Sequence, residues 1–346
     1  MEFGLFDHID LRGDAPGAVF DDRLAFVAAA DQAGFHSYHV AEHHMTPLGL
    51  APSPSVYLAA VARETSRIRF GPLVYLLPLY IPLRLIEEIC MLDQLSNGRL
   101  DIGVGRGVSK YEVGYYGIDL ETSWELFHET LDILVAGLTG ERLNHHGPKY
   151  DYSDVPMVLR PVQKPMPPVW FGVGGEAGQD FAARRGMNMA ILGPTSRIRD
   201  VTAGCRRKWE DYCGGPDRLP GAPAEPVIAA TRNIVVADSD AEAERIARPA
   251  YAHWYASLAK LWWDHGDKPS AAIIADFDAA RAAGMMVVGS PDTVRAELAA
   301  QITECGFTRT IAQMAFGDMS HDVEMRSLEL FAAHVMPALK EMGERS

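Results

Sequence analysis

The chain has 346 residues, 48% hydrophobic and 23% charged, with a formal net charge of −14; it can bury a substantial core, as one α/β barrel or as two ordinary domains. That charge opposes nucleic acid and anionic membrane, and no basic cluster offsets it locally, so a neutral or small anionic ligand is expected. The cysteines Cys90, Cys205, Cys213 and Cys305 lack C-x-x-C spacing, which suggests neither a zinc site nor a disulfide framework, and a reducing, cytoplasmic setting is expected.

Phe3 to Phe6 opens the chain as a strand, without the basic n-region and cleavage site of a signal peptide. A helix from Asp22 to Gly34 follows, ended by its glycine. The second strand, Tyr38 to Val40, gives way to the polar tip Ala41-Glu42-His43-His44. A Pro- and Gly-rich loop from Thr46 to Pro54 then leads to a helix from Ser55 to Glu64. This unit of strand, tip, loop and helix recurs. Arg69 to Leu77 is a third strand, with a helix from Pro82 to Asn97. The most apolar segment, Leu73 to Leu83, is too short to span a bilayer and is broken by Pro78 and Pro82. Leu100 to Gly105 pairs with a helix from Glu121 to Leu138, and Val169 to Val173 with Glu176 to Arg185. Met187 to Leu192 pairs with Ser196 to Tyr212, Val227 to Val236 with Asp240 to Ala259, and Thr310 to Phe316 with Asp322 to Lys340.

Strands alternating with helices argue for parallel strands and right-handed crossovers, and eight such units predict a (β/α)8 TIM barrel in a single α/β domain over 1–346. The segment Trp254 to Gly289 carries Trp262-Trp263, Gly266, Pro269 and Gly284 and does not fit one crossover helix. It is expected as an insertion near the seventh strand, either a lid over the pocket or an ordinary helical excursion.

In a barrel the working groups stand at strand ends. Those ends hold Glu42-His43-His44, Gly105-Arg106-Gly107 and Gly172-Val173-Gly174-Gly175. Glycines admit a ligand to backbone N–H groups, a helix starting after Gly174-Gly175 aims its positive end at an anion, and Arg106 can fork a phosphate. A phosphorylated cofactor across the barrel mouth is expected, with imidazoles beside it. Gly172-x-Gly174-x-x-Ala177 also fits a dinucleotide fingerprint, but it lies mid-chain without the acidic partner. A metal-dependent hydrolase is the other rival. Adjacent His43 and His44 would diverge on a strand, and His145-His146 reads as a solvated loop, so no metal site is expected.

The ordered set Ala41-Glu42-His43-His44, Gly49-Leu50, Ile68-Arg69-Phe70-Gly71, Leu92 to Arg99, Gly103-Val104-Gly105-Arg106-Gly107, Val169 to Gly175 and Ser327 to Phe331 resembles the bacterial luciferase-like flavin monooxygenases. The resemblance implies a TIM barrel, reduced FMN delivered by a separate NAD(P)H-dependent reductase, O2 as co-substrate, and oxygen insertion into a small hydrophobic organic substrate through a C4a-(hydro)peroxyflavin. It implies His43 as the catalytic histidine, with Glu42 and His44 orienting it or lining the pocket. Flavin contacts are implied at Arg106, Gly105, Gly174, Gly175 and Glu176, and at Leu73-Val74, where the family has a non-prolyl cis peptide. A homodimer is also implied.

Three departures bear on flavin affinity. Gly105 stands where luciferase has a reactive cysteine, Trp124 where the family has a second arginine for the phosphate, and Glu176 among positions where hydroxyl residues are expected. Arg106 and the N–H groups of Gly174 and Gly175 remain as anchors, and weak binding is the expectation. Two alternatives stay open: an F420-dependent hydride-transfer enzyme, whose relatives carry a different triplet at 42–44, and a non-catalytic flavin-binding subunit. Phe6, Tyr75, Trp254, Tyr255, Trp262 and Trp263 are expected in a hydrophobic pocket or in the core.

Overall fold

The structure, a computed structural model, describes residues 1–270 and 273–344. In chain order it contains β1 (Glu2–Asp7), α1 (Pro16–Ala33), β2 (Ser37–Val40), α2 (Pro54–Glu64), β3 (Arg69–Pro72), β4 (Tyr75–Leu76), α3 (Pro82–Ser96), β5 (Ile102–Gly105), α4 (Lys110–Tyr115) and α5 (Ser123–Thr139). There follow β6 (Arg142–His146), β7 (Asp151–Pro156), β8 (Val169–Val173), α6 (Glu176–Arg185), β9 (Asn188–Ile191), α7 (Thr195–Tyr212), β10 (Ile228–Val236) and α8 (Asp240–Asp264). The last elements are α9 (Phe277–Ala282), β11 (Met286–Gly289), α10 (Pro291–Cys305), β12 (Arg309–Gln313), α11 (His321–Leu330) and α12 (Met336–Glu344), with a π-helical turn between the final two helices. None of the described helices is long and apolar enough to cross a membrane.

The main sheet runs β3-β2-β1-β12-β10-β9-β8-β5-β4, all parallel. β3 and β4 are halves of one barrel strand interrupted at the cis peptide Leu73–Val74. β4 pairs with β5, and a bridge from Phe70 to Leu100 joins β3 to the same side, so the ring closes as the expected (β/α)8 barrel. Its strands are buried on both faces, as parallel strands under a helical jacket must be: β2, β5 and β9 are buried along their whole lengths. Trp170, Ala190, Ala229 and Ile311 fill the interior. Two glycines let strands approach there: a Cβ on Gly71 would lie 2.0 Å from the Asp101 carbonyl oxygen, and one on Gly103 2.2 Å from that of Pro72. Proline opens α1, α2, α3 and α10, where a missing N–H costs nothing.

Some expectations need correction. The first helix begins at Pro16, ahead of Asp22, and the continuous third strand is two short ones. Between α5 and β8 lies an antiparallel hairpin, β6 with β7; His145 sits in it and bonds Glu129 at 3.1 Å, rather than standing in a solvated loop. The stretch from Trp254 to Gly289 is the end of α8, then α9, then β11, which pairs with the outer half of β10 as an additional parallel strand. Helix α10, which returns the chain to β12, was not foreseen.

Candidate active site

A cavity of about 400 Å3 opens at the C-terminal ends of the barrel strands. Phe6, Leu73, Leu76, Phe171 and Trp254 give it an apolar wall, and Glu42, His43, His8 and Arg106 are among its polar members. Trp254, Leu258 and Ile273 reach it from the segment that follows β10, so that segment borders the pocket.

The tip after β2 separates its side chains. Glu42 accepts from the Leu76 N–H (3.2 Å), the Tyr80 hydroxyl (2.7 Å) and His44 Nε2 (2.9 Å). Burial pushes its carboxyl above the usual range, and these donors oppose the shift. His44 does not line the cavity: Nε2 is held by Glu42 and Nδ1 lies 2.9 Å from the Tyr116 hydroxyl, so both nitrogens are engaged. His43 faces the cavity. Its Nδ1 lies 3.2 Å from both carboxylate oxygens of Glu112, which leaves Nε2 without a partner among the described residues. Burial opposes a charge on this ring, but the Glu112 carboxylate outweighs it and raises its pKa. Burial likewise resists the charge on Glu112, and His43 with the His44 N–H (2.8 Å) holds its pKa low.

Glu112 was missed by sequence reasoning. It lies in the first turn of α4, whose N-cap Ser109 accepts from the Glu112 N–H at 3.3 Å. Ser109-x-x-Glu112 is the spacing of a capping box and marks a helix start, yet it does not reveal that the carboxylate bonds a histidine instead. Helix α4 is also tied to the chain beyond α8: Tyr111 stacks on His265 with centroids 4.0 Å apart, and Lys110 Nζ lies 2.7 Å from Asp267. A second cavity of about 270 Å3 shares His43, Val108, Leu258 and Ile273 with the first and is lined by Glu112 and Trp262.

His8 was also missed, although its position just past β1 is where barrel chemistry stands. Its ring is 5.5 Å from that of His43, and burial, with His43 second, lowers its pKa well below the ordinary value. Two neighbouring imidazoles are thus driven apart, one toward the charged form and one toward the neutral, a pattern that marks acid and base assignments.

Across the mouth, Leu73, Val74, Gly105, Arg106 and Gly172 line the cavity. A Cβ on Gly105 would fall 2.4 Å from Val74 Cγ2, so a cysteine there is incompatible with this valine. Arg106 donates to the Leu120 carbonyl at 2.9 Å and lies 4.8 Å over the Trp124 ring, while its buried Nε has no partner among the described residues. Trp124 therefore fixes the guanidinium in place. Gly174 and Gly175 stand at the N-terminus of α6 beside the cavity and do not line it. Glu176 points to solvent and sits 3.7 Å from Lys208.

A family model described as luciferase-like monooxygenase matches residues 1–309. The chain is 37% identical to the Sinorhizobium fredii protein called uncharacterized protein y4wF, over 97% of this chain and 96% of that one. It is 29% identical to the oxygenase component of the flavin-dependent trigonelline monooxygenase of Acinetobacter baylyi, over 55% of this chain and 54% of that one. Among solved structures, the FMN complex of the oxygenating constituent of 3,6-diketocamphane monooxygenase from Pseudomonas putida, a type II Baeyer-Villiger monooxygenase, superposes with a TM-score of 0.81. That match covers 97% of this chain and 98% of the other at 22% identity, and it speaks to the barrel.

Proposed function

Because the chain belongs to the luciferase-like monooxygenase family, we propose that it is the oxygenase component of a two-component flavin-dependent monooxygenase. It takes reduced FMN from a separate NAD(P)H-dependent reductase and uses O2 to oxygenate a small hydrophobic substrate. The observation that carries this reading is the His43–Glu112 pair in the wall of an apolar cavity that also presents Arg106. The Acinetobacter relative, an oxygenase component, and the FMN complex of the Pseudomonas enzyme support it.

The residues present fit a phosphorylated flavin. Arg106 lines the cavity and is braced by Leu120 and Trp124, so it would hold the phosphate, together with the N–H groups at Gly174 and Gly175. Gly105 and Gly172 add no side chain to the wall beside Leu73–Val74, and a planar ring can lie there. When bound, reduced FMN supplies the electrons that activate O2. The protein's own work is proton handling and exclusion of water. His43 presents Nε2 to the cavity and, charged through Glu112, donates a proton there; when neutral it accepts one. Glu112 positions that ring, and Glu42 with His44 and Tyr116 anchors the loop that carries it. Phe6, Leu73, Phe171 and Trp254 keep the reacting centre dry.

Anaerobic titration with FMNH2, then mixing with O2 while following near-ultraviolet absorbance, tests the reading. A transient that His43→Ala shortens or abolishes is expected. If FMNH2 neither binds nor reacts while reduced F420 does, hydride transfer replaces oxygenation. If turnover of a paired active chain is untouched by His43→Ala, the protein is a regulatory subunit. A homodimer belongs to the same proposal: Val56 on α2 and Met91 and Leu95 on α3 are exposed apolar side chains on adjoining helices. A monomeric mass by light scattering would end it.

A further inference from the structure

His8 lines the cavity with only 6% of its surface exposed. An indole N–H can only donate, so the 3.3 Å bond from Trp254 Nε1 makes His8 Nδ1 an acceptor. Gln313 Nε2 lies 2.9 Å from the same nitrogen. A neutral imidazole whose Nδ1 accepts carries its hydrogen on Nε2, so α8 and β12 together set the tautomer. Among the described residues that Nε2–H has no protein partner, and it is not sealed from the cavity as the buried orphan atoms are. Asn233, opposite Gln313 in register, also lines the cavity and is 6% exposed, but its Nδ2 is fully buried, with no acceptor among the described residues. This edge of the cavity therefore holds one donor open to a ligand, the His8 Nε2–H, with no protein acceptor among the described residues, and a largely buried donor of that kind is costly unless a ligand pairs it.

The position of the edge tells which ligand. His8 and Gln313 come from β1 and β12, which lie across the ring from β8 and β5, the strands leading to Gly172 and Arg106. A flavin anchored at Arg106 leaves the β1 side to the organic substrate. The acceptor there is uncharged, because the other positive groups lining the cavity are already committed, His43 to the Glu112 carboxylate and Arg232 to its own partners. Arg232 donates to Gln301 (2.6 Å), to the Gly193 and Thr231 carbonyls and to the Thr195 hydroxyl.

We propose that His8 donates its Nε2 hydrogen to a carbonyl-type oxygen on an otherwise apolar substrate, seating the carbon that bears it beside His43. This rests on the oxygenase reading for the reaction that follows, while the selection itself is a property of the empty protein. A cavity built to hydrogen-bond an oxygen discriminates against the same frame without it.

The probes are 1-indanone and indane, one bicyclic frame with and without the oxygen, titrated into the flavin-free protein with 15N-labelled histidine. The wild type should bind 1-indanone about three- to tenfold more tightly than indane. His8→Leu should bring the ratio near one, and His8→Gln, which keeps an N–H, should restore part of it. The spectrum at pH 7 should show His8 as the neutral Nε2–H tautomer, with that proton moving downfield on adding 1-indanone. Equal affinities in the wild type, binding of neither probe, a preference that survives His8→Leu, or an Nδ1–H tautomer would each overturn the proposal. If His8→Leu fails to fold, the wild-type tautomer and proton shift decide. Since neither flavin nor O2 is present, a protein that prefers 1-indanone through His8 yet never reacts with FMNH2 and O2 would sink only the oxygenase reading.

Discussion

Replacing Glu112 by glutamine isolates what the carboxylate does for His43. Glutamine matches the shape, can still accept from the His44 N–H and can still bond His43 Nδ1, so the change is mainly the loss of one negative charge. The carboxylate oxygens lie 3.2 Å from Nδ1. An opposite charge this close moves a titration midpoint by about one to three pH units, or about 1.4–4 kcal/mol. The His43 side chain is 20% exposed, so solvent screens part of this and the lower half of the range is expected. With the charge gone, burial prevails and the midpoint should fall from above the ordinary 6.5 to below it. Histidine NMR titration measures this directly, with His43 assigned by its loss in His43→Ala. In activity, Glu112→Gln should slow turnover at pH 7 about tenfold by removing the protonated form, and the defect should shrink as the pH is lowered, which a merely structural role would not produce. A midpoint that stays within about 0.3 pH units of the wild type would show that Glu112 does not govern this imidazole.

Three further perturbations test other parts of the molecule. His39 is wholly buried, with neither ring nitrogen partnered among the described residues, and burial pulls its pKa down to about 4. As the pH falls from 6.5 toward 4 the unfolded chain takes up this proton first, so the stability present above 6.5 should decline by about 3 kcal/mol over that window; denaturant unfolding of His39→Leu at pH 7.5 and 5 should show a smaller decline. Gly71→Ala or Gly103→Ala sets a methyl about 2 Å from a backbone oxygen and should cost at least about 3 kcal/mol, whereas Gly172→Ala, with nothing within 4 Å, should leave Tm within a few degrees. Arg106→Ala should reduce the preference for FMN over riboflavin about tenfold, read by flavin fluorescence; an unchanged ratio would place the phosphate elsewhere.

The chain's periodicity carried most of the barrel. Buried strands such as Tyr38 to Val40 and Val169 to Val173 are short apolar runs bounded by turn residues, and helices ended by Gly34 or Gly186 separate them. The hairpin of β6 and β7 escaped notice because its strands are largely exposed and polar, so no burial pattern marks them. Helix α10 hid between β11 and β12, where the seventh unit holds an extra strand. The break at Leu73–Val74 lies inside one apolar run; residue types show no interruption there, and only the family resemblance marked it.

At the site, residue order alone places a glutamate and two histidines at the end of the second strand and an arginine between glycines at the end of the fourth, since strand ends are local features. The surroundings of those groups come from tertiary structure. His43 meets Glu112 across 69 residues of chain, and His8 meets Trp254 and Gln313 across 246 and 305. A histidine's tautomer, charge and direction are set by the charges and donors around it and by the loss of water. Those neighbours become neighbours only when the barrel closes, so His43 and His8 read alike in the chain and differ in the fold.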